Sequence, residues 1–246
     1  MAWQTPKTDW TGSDGVRNTD LNRIEGNILH LYNTSMVSAD MNIFVDPTGS
    51  DSTGNGSSTS PYASITAALN SIPKNLSGRT VTIDIGAGQY DENVVIRGFS
   101  GTINLYSSGV VRIQSLTVEN SVVYQYGTQT NFPGGIRLNH DAAYIGQSLT
   151  YVSAAGSIGV SVLNGSTFIL YNTLSISNTT SAAIEVSGGS RFYASTVAGT
   201  SNTLGIRADT GGMASYGAIN ITATTRHITN TGGRVYTGAQ TNAPNY

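Results

Sequence analysis

The chain has 246 residues, of which 38% are apolar and only 11% are charged, and its formal net charge is −2. This low, balanced charge excludes nucleic acid as the expected partner, because binding a phosphate backbone requires clustered lysine and arginine side chains. Cysteine is absent, which excludes a disulfide framework and a thiolate nucleophile.

The amino-terminal segment, residues 1–17, contains both tryptophans of the chain, Trp3 and Trp10. It lacks the apolar core of a secretion signal, and no run of about 18 apolar residues occurs anywhere. We therefore expect synthesis in the cytoplasm without a signal peptide, and no membrane insertion. Because the segment is too short for a core of its own, the two indole rings either hold it against the next element or anchor it in a partner.

Four apolar residues at the spacing of one helix face predict a helix from about Thr19. Asn18 or Thr19 can cap this helix, and Asp20 stands near its positive end. The same spacing fits a heptad seam, so the helix either lies on the rest of the chain or bundles with copies of itself. The four seam residues are Leu21, Ile24, Ile28 and Leu31.

A family resemblance is carried by the run from Trp3 to Trp10, with Thr5-Pro6-Lys7 between the tryptophans, and by Asp20-Leu21-Asn22-Arg23-Ile24-Glu25-Gly26-Asn27. This stretch resembles the opening segment of tail and baseplate proteins in phages and prophages of Firmicutes. It departs from that pattern at Gly15-Val16, where an aromatic residue is commoner. The resemblance implies that residues 1–35 attach the chain to a tail or baseplate. The residues implied in attachment are Trp3, Trp10, Asn22, Arg23, Ile24 and Glu25.

Residues 36–80 are predicted to be a linker and a cap. Ile43 to Val45 form a short strand, followed by a long turn region rich in Gly, Ser and Thr. Asp46, Asp51 and Asn55 suggest a calcium loop, but the ordered ligand spacing and terminal Glu of an EF-hand are missing. A solvated loop is favoured, and no metal or cofactor is predicted.

Ser60 and Pro61 predict the start of a second helix, because Ser caps well and Pro is tolerated at the first helical position. Pro73 would stop this helix. An open end of a β-sheet invites edge pairing, so we expect the helix to cover the end of a solenoid. Its apolar face would be Tyr62, Ile65, Leu69 and Ile72.

The second half of the chain is repetitive. Isoleucines recur at about 22 residues, a period typical of solenoids, and small-residue corners such as Gly188-Gly189-Ser190 follow them. The alternation of apolar and polar residues in Ile184 to Ser187 indicates strands, and the breaks are too short for helices. The sequence therefore predicts an all-β parallel β-helix over residues 81–246. The marker isoleucines are Ile136, Ile158, Ile184, Ile206 and Ile228.

A second resemblance covers the start of these coils. Ile43 to Asp46, Ser60 to Ile65, Thr80 to Ile83 and Tyr90 to Val94 resemble the start of pectin-lyase-like β-helices, particularly those of phage tailspike and tail-fibre proteins. This resemblance implies a right-handed β-helix and often a homotrimer. It places the chain in a virion or phage-tail-like particle, with host cell-surface polysaccharide as a partner.

The carboxylates of the coils are the first candidates for catalytic residues. In the isoleucine alignment, Glu185 and Asp209 lie about 8 Å apart, within the ~6.5–9.5 Å window of an inverting glycosidase. The same alignment places Arg207 between them, so an outward ion pair is the favoured interpretation. The predicted outward column is Arg137, Gly159, Glu185, Arg207 and Thr229.

Other candidate side chains give weaker indications. The three histidines lie in separate predicted elements and give no metal spacing. Exposed tyrosines can stack on sugar rings, although a core or subunit-contact role is favoured for any single one. The tyrosines of interest are Tyr144, Tyr151, Tyr171, Tyr193, Tyr216 and Tyr236.

Three functions remain open on the sequence alone. The favoured one is a homotrimeric tail fibre or baseplate appendage that contacts host-surface glycans and is not an enzyme. The nearly uncharged coil surface and the seam of the first helix both point to three chains side by side. The alternatives are a tailspike that depolymerises the glycan by hydrolysis or lyase chemistry, and a free-standing adhesin.

Overall fold

The computed structural model describes residues 3–147, 149–153 and 158–237 of the chain. Two helices, α1 (Asn18–Ser35) and α2 (Ile65–Asn70), accompany fourteen strands. The strands are β1 (Met41–Val45), β2 (Thr80–Ile85), β3 (Gly88–Arg97), β4 (Thr102–Glu119), β5 (Val122–Asn131), β6 (Ile136–Asn139), β7 (Ala143–Gly146), β8 (Leu149–Val152), β9 (Ile158–Val162), β10 (Thr167–Ile176), β11 (Ala182–Val186), β12 (Arg191–Ala208), β13 (Met213–Thr229) and β14 (Arg234–Thr237).

The strands pair in parallel and form a β-solenoid of about seven turns. This architecture confirms the predicted parallel β-helix. The ladder begins already at β1, which pairs in parallel with β2, so the solenoid extends into the segment predicted to be a linker and cap.

Each turn of the solenoid contributes to three long faces. The first face contains β1, β2, β7, β14 and the opening parts of β4, β5, β10, β12 and β13. The second face contains β8, the start of β3 and the later parts of β4, β5, β10, β12 and β13. The third face contains β6, β9, β11 and the final parts of β3, β4, β12 and β13.

The core consists of columns of side chains that point into the solenoid. On the first face the rings of Tyr144, Phe168 and Phe192 are buried and stacked, with centroids 4.9 and 5.1 Å apart. This separation follows from the ~4.8 Å spacing of paired strands. The Tyr144 hydroxyl donates to Gln125, whose amide donates to Thr130, and burial raises the pKa of Tyr144 far above its ordinary value.

The predicted repeat register is confirmed at its centre and wrong at two isoleucines. Ile184 lies opposite Ile206 as predicted. Val160, rather than Ile158, pairs with both Ile136 and Ile184. This shift of two residues leaves the same side chains pointing inward, because a strand alternates with a period of two.

The error at Ile228 is a shift of one residue, which exchanges the two sides of the strand. β12 and β13 lose register by one residue between Gly199 and Asn202, and Ile206 consequently lies opposite His227. An extra residue on one strand of a pair is a β-bulge, which a repeat length does not reveal. The observed outward column is Arg137, Ser161, Glu185 and Arg207, and the backbone register of β13 places residue 228, not Thr229, opposite Arg207, so Gly159 and Thr229 do not belong to the column.

The second helix starts later than predicted. Ser64, rather than Ser60, caps α2 and accepts a hydrogen bond from the Ala67 amide. The carboxylate of Glu92 accepts from the next two free amides, at Ile65 and Thr66, which would otherwise lack partners at a helix start. The helix ends at Asn70, before Pro73.

Residues near Ser60 continue as extended chain rather than helix, because Tyr62 exchanges backbone hydrogen bonds with Phe44 and Asp46 of the first coil. The α2 residues Ile65 and Leu69 are buried against that coil. The helix therefore covers the amino-terminal end of the solenoid as predicted.

The loop after β1 is closed by its own carboxylates and amides. Asp46 accepts from the backbone and hydroxyl of Thr48, and these hydrogen bonds lower the pKa of its carboxyl group. Asp51 accepts from two backbone amides of residues 63–64, and Asn55 accepts from the amide of Ser57. These contacts agree with a structural loop rather than a calcium loop.

Candidate attachment and recognition surfaces

A clasp between Asn27 and Gln4 holds the amino-terminal segment on α1. The buried side chain of Asn27 accepts from the Gln4 amide at 2.8 Å and donates to the Gln4 carbonyl at 2.7 Å. The ring of Trp3 lies 6.2 Å from that of His30 on the same side of the helix. The segment is therefore stapled to the next element, which is one of the two predicted arrangements.

Trp3 and Trp10 nevertheless remain 49% and 40% exposed. Lys7 lies over the Trp10 ring at 4.4 Å and forms an ion pair with Asp14 at 3.0 Å. Hydrogen bonds from the Thr11 backbone and from Lys7 lower the pKa of the Asp14 carboxyl group. The segment thus has defined internal contacts and still presents two indole rings to the outside.

α1 agrees with the predicted helix, but its N-cap is Arg17, so the predicted cap at Asn18 or Thr19 is wrong by one or two residues. The Asp20 carboxylate accepts from the Arg17 amide and pairs with Arg23 at 3.2 Å. Asn22 and Glu25 are exposed. Within residues 18–31, whose side chains are described, Gly26 and Asn27 are buried, on the side that holds the amino-terminal segment.

The seam of α1 is uncovered. Its four residues are all exposed, by 49%, 45%, 60% and 54% in chain order. An apolar stripe of this length on a helix is unusual unless another surface covers it. The four residues are Leu21, Ile24, Ile28 and Leu31.

The charged cluster predicted on the coils is present on the third face. Arg207 forms an ion pair with Glu185 in the preceding turn and lies 3.5 Å from Asp209. The second oxygen of Glu185 accepts from the hydroxyl of Ser161 at 3.0 Å. Both carboxylates are thus held by the arginine between them, which confirms the predicted ion pair.

The tyrosines divide between the core and the surface. Tyr144 and Tyr216 are buried, which removes them as sugar-stacking candidates. Tyr151 on the second face and Tyr171 on the first face are 40% and 58% exposed. Tyr193 lies beside Tyr171, with ring centroids 6.4 Å apart, and Tyr236 lies in the column of Tyr193 on β14.

The sequence analysis did not single out a second group of tyrosines on the first face. Tyr106 and Tyr126 occupy one outward column with ring centroids 5.2 Å apart, and Tyr124 is 38% exposed in the neighbouring column. Asn104 donates to the Tyr126 hydroxyl. The alternation Tyr124, Gln125, Tyr126 signals two outward rings once the direction of Gln125 is known.

The described residues contain no group of three or more His, Asp or Glu side chains placed to hold a metal ion. Over the same ranges, no helix is long and apolar enough to cross a membrane. Comparison with protein-family models, curated proteins and solved structures gives no match to this chain.

Proposed function

We propose that the protein is a structural and receptor-binding appendage of a phage or phage-tail-like particle. In this proposal, residues 1–35 dock the chain on a tail or baseplate, and α1 joins three copies through its seam. The coils form a rigid body that carries the contact with host-surface glycans. The resemblance of the amino-terminal segment and of the first coils suggests this assignment.

The observation that carries the proposal is the exposed apolar surface of the amino-terminal module. The Asn27 clasp orders the segment without burying Trp3 or Trp10. Aromatic anchors dominate the energy of the interfaces that contain them. An ordered module that leaves two tryptophans and an apolar seam uncovered is therefore suited to binding a partner.

Removal of residues 1–35 is the direct test of docking. The cut leaves Met36 and the buried Val37, which bond to Asn75 and belong to the solenoid. We expect the truncated chain to melt within a few degrees of the full chain, because none of the α1 residues whose side chains are described, 18–31, belongs to the core. We also expect it to be lost from assembled particles.

Incorporation into particles and thermal melting are measured side by side. A full-length chain with Val16→Ala, an exposed residue outside the seam, serves as a control that should still be incorporated. If the truncated chain is incorporated as well as the full chain, residues 1–35 are not the attachment module. If its melting temperature falls sharply, the module instead stabilises the coils.

The proposed glycan contact has an exposed ring available on the second face. Tyr151 lies opposite Asn131 and Ser175 in the neighbouring turns. A flat ring can stack on a sugar, and flanking amide and hydroxyl groups can bond to sugar hydroxyls. The surface of the coils is also rich in such uncharged polar groups.

Glycan cleavage is the second candidate function, because Glu185 and Asp209 lie close together on the third face. Arg207 pairs with Glu185 and lies 3.5 Å from Asp209, and this arrangement favours an outward ion pair over a pair of catalytic carboxylates. We expect purified protein to release no reducing sugar from cell-wall glycans. Sugar release that is abolished by Glu185→Gln or Asp209→Asn would instead identify a depolymerase. If the chain is never found in particles, the free-standing adhesin is the better assignment.

A further inference from the structure

We infer that the first face of the solenoid is the surface through which the copies of the chain pack against one another. This inference rests on the proposed homotrimer and adds to it the coil surface that lies at the symmetry axis. The surface comprises the two central outward columns of five successive turns, called the aromatic face below. One column is Asn104, Tyr124, Ile145, Ile169 and Tyr193, and beside it lie Tyr106, Tyr126 and Tyr171, the last in contact with Tyr193.

The aromatic face carries no charged side chain. The nearest charges in its strands are Asp84, one turn before Tyr106, and Arg191, in the column at its edge. At its centre Ile145 and Ile169 stand in successive turns, half-buried by their own neighbours, with tyrosines above and below them. Interface cores are depleted in charge and enriched in aromatic residues, as this surface is.

Rotational symmetry gives a physical reason why an uncharged face is suited to the axis. In a closed ring of parallel chains, each residue near the axis meets its own copies at the same height. A charged residue there would face like charge at short range, which is unfavourable by several kcal/mol. An uncharged apolar residue such as Ile169 would instead meet an identical apolar surface.

The other two faces satisfy this condition only in part. The third face carries the ion pairs of Arg97 with Glu119 and of Arg207 with Glu185. The second face carries Arg112, paired with Asp91 at its edge. The later turns of the second face, from Gln129 to Asn220, are also uncharged, but they present a single exposed ring, that of Tyr151. Among the described residues, the aromatic face alone combines an uncharged centre with several exposed rings.

The size of the aromatic face predicts that it acts together with the seam of α1. Five turns about 4.8 Å apart, crossed by strands of about five residues, give roughly 20 by 17 Å. That area falls short of the ~800 Å² per partner of a stable protein interface. Loss of either the aromatic face or the seam should therefore release monomers at micromolar concentration.

The test uses the full-length chain and the double variant Ile145→Lys/Ile169→Lys, which places two lysines in adjacent turns of the aromatic face. The matched control is Leu149→Lys/Thr173→Lys, with two lysines on outward positions of the same turns on the second face. Light scattering should give a trimer for the wild type and the control. It should give the monomer mass of 25.7 kDa for the aromatic-face variant, with circular dichroism unchanged.

A trimeric aromatic-face variant would overturn the inference while leaving the proposed homotrimer intact. A monomeric wild type would overturn both. Loss of glycan binding by a variant that stays trimeric would show that this face meets sugar rather than another copy, and so would also overturn the inference.

A measurement on the wild type guards against a variant that fails to fold. In a single chain Tyr171 is more exposed than Tyr151, 58% against 40%. If the aromatic face is covered in the trimer, hydroxyl-radical footprinting should oxidise Tyr171 more slowly than Tyr151. Faster oxidation of Tyr171 would mean that the face is open and the inference wrong.

Discussion

Replacing Ile206 with aspartate is expected to prevent the chain from folding. Ile206 is fully buried and stacks on Ile184, which is also fully buried, in the preceding turn. A carboxylate at this position would be taken out of water between Ile184 and His227, whose ring already contacts Tyr216. Burying a charged group in place of a fully buried apolar one costs several kcal/mol or more. No turn of a solenoid is stable alone, so a break in mid-stack also removes support from both neighbouring turns.

Soluble yield and far-ultraviolet circular dichroism measure this effect. The control is Thr229→Asp, which introduces the same charge in the same face of the solenoid at an exposed residue of the last complete turn. The control should fold and melt close to the wild type. Thr229 lies opposite the inward Ala208 but is itself exposed, so equal losses for the two variants would mean that the burial of Ile206 does not determine the cost of the charge.

Replacing Gly199 with alanine is expected to be strongly destabilising. The backbone of Gly199 has φ +140°, and a Cβ there would overlap the carbonyl oxygen of Ile176 in the turn before. That carbonyl already accepts a hydrogen bond from the buried amide of Asn202 at 3.0 Å, so it cannot easily move away. Overpacking and backbone strain together should cost about 3 kcal/mol or more.

The control for Gly199→Ala is Gly189→Ala. Gly189 also has positive φ, +73°, but a Cβ there would meet no atom within 4 Å. Its replacement should cost only the left-handed backbone strain, about 1–2 kcal/mol. Thermal melting of both variants measures the difference, and equal melting temperatures would show that the contact with Ile176 does not constrain the turn.

Gly199 marks the place where prediction from the repeat failed. The step from Ile206 to Ile228 fits the repeat length, yet the bulge beside Gly199 shifts β13 by one residue and brings His227 opposite Ile206. The buried Asn202 fills that bulge and accepts from the hydroxyl of Thr179. A glycine followed by a small polar residue, as at Gly199 and Asn202, occurs in strands with and without a shift of register, so the sequence does not reveal the bulge.

The candidate surfaces were predictable to different extents. The pairing of Glu185 with Arg207 could be predicted from the sequence, because the segment from Ile184 to Ile206 has the length of one repeat and contains no shift of register. The capping of α2 by Glu92 could not, since its partners at Ile65 and Thr66 are distant in sequence and meet it only when the first coil closes. The exposure of Trp3 and of the seam depends in the same way on where the Asn27 clasp places the amino-terminal segment.

The sequence by itself determined the fold class, the positions of the strands and the seam of α1. These follow from local rules, because alternation with a period of two and helical spacing are properties of neighbouring residues. Only the tertiary structure decided which turns lie in register and which tyrosines share a face. Those relations depend on the lengths of the corners and on the bulges between strands. One extra residue between Gly199 and Asn202 is enough to change which residues of β13 lie opposite the inward residues of β12.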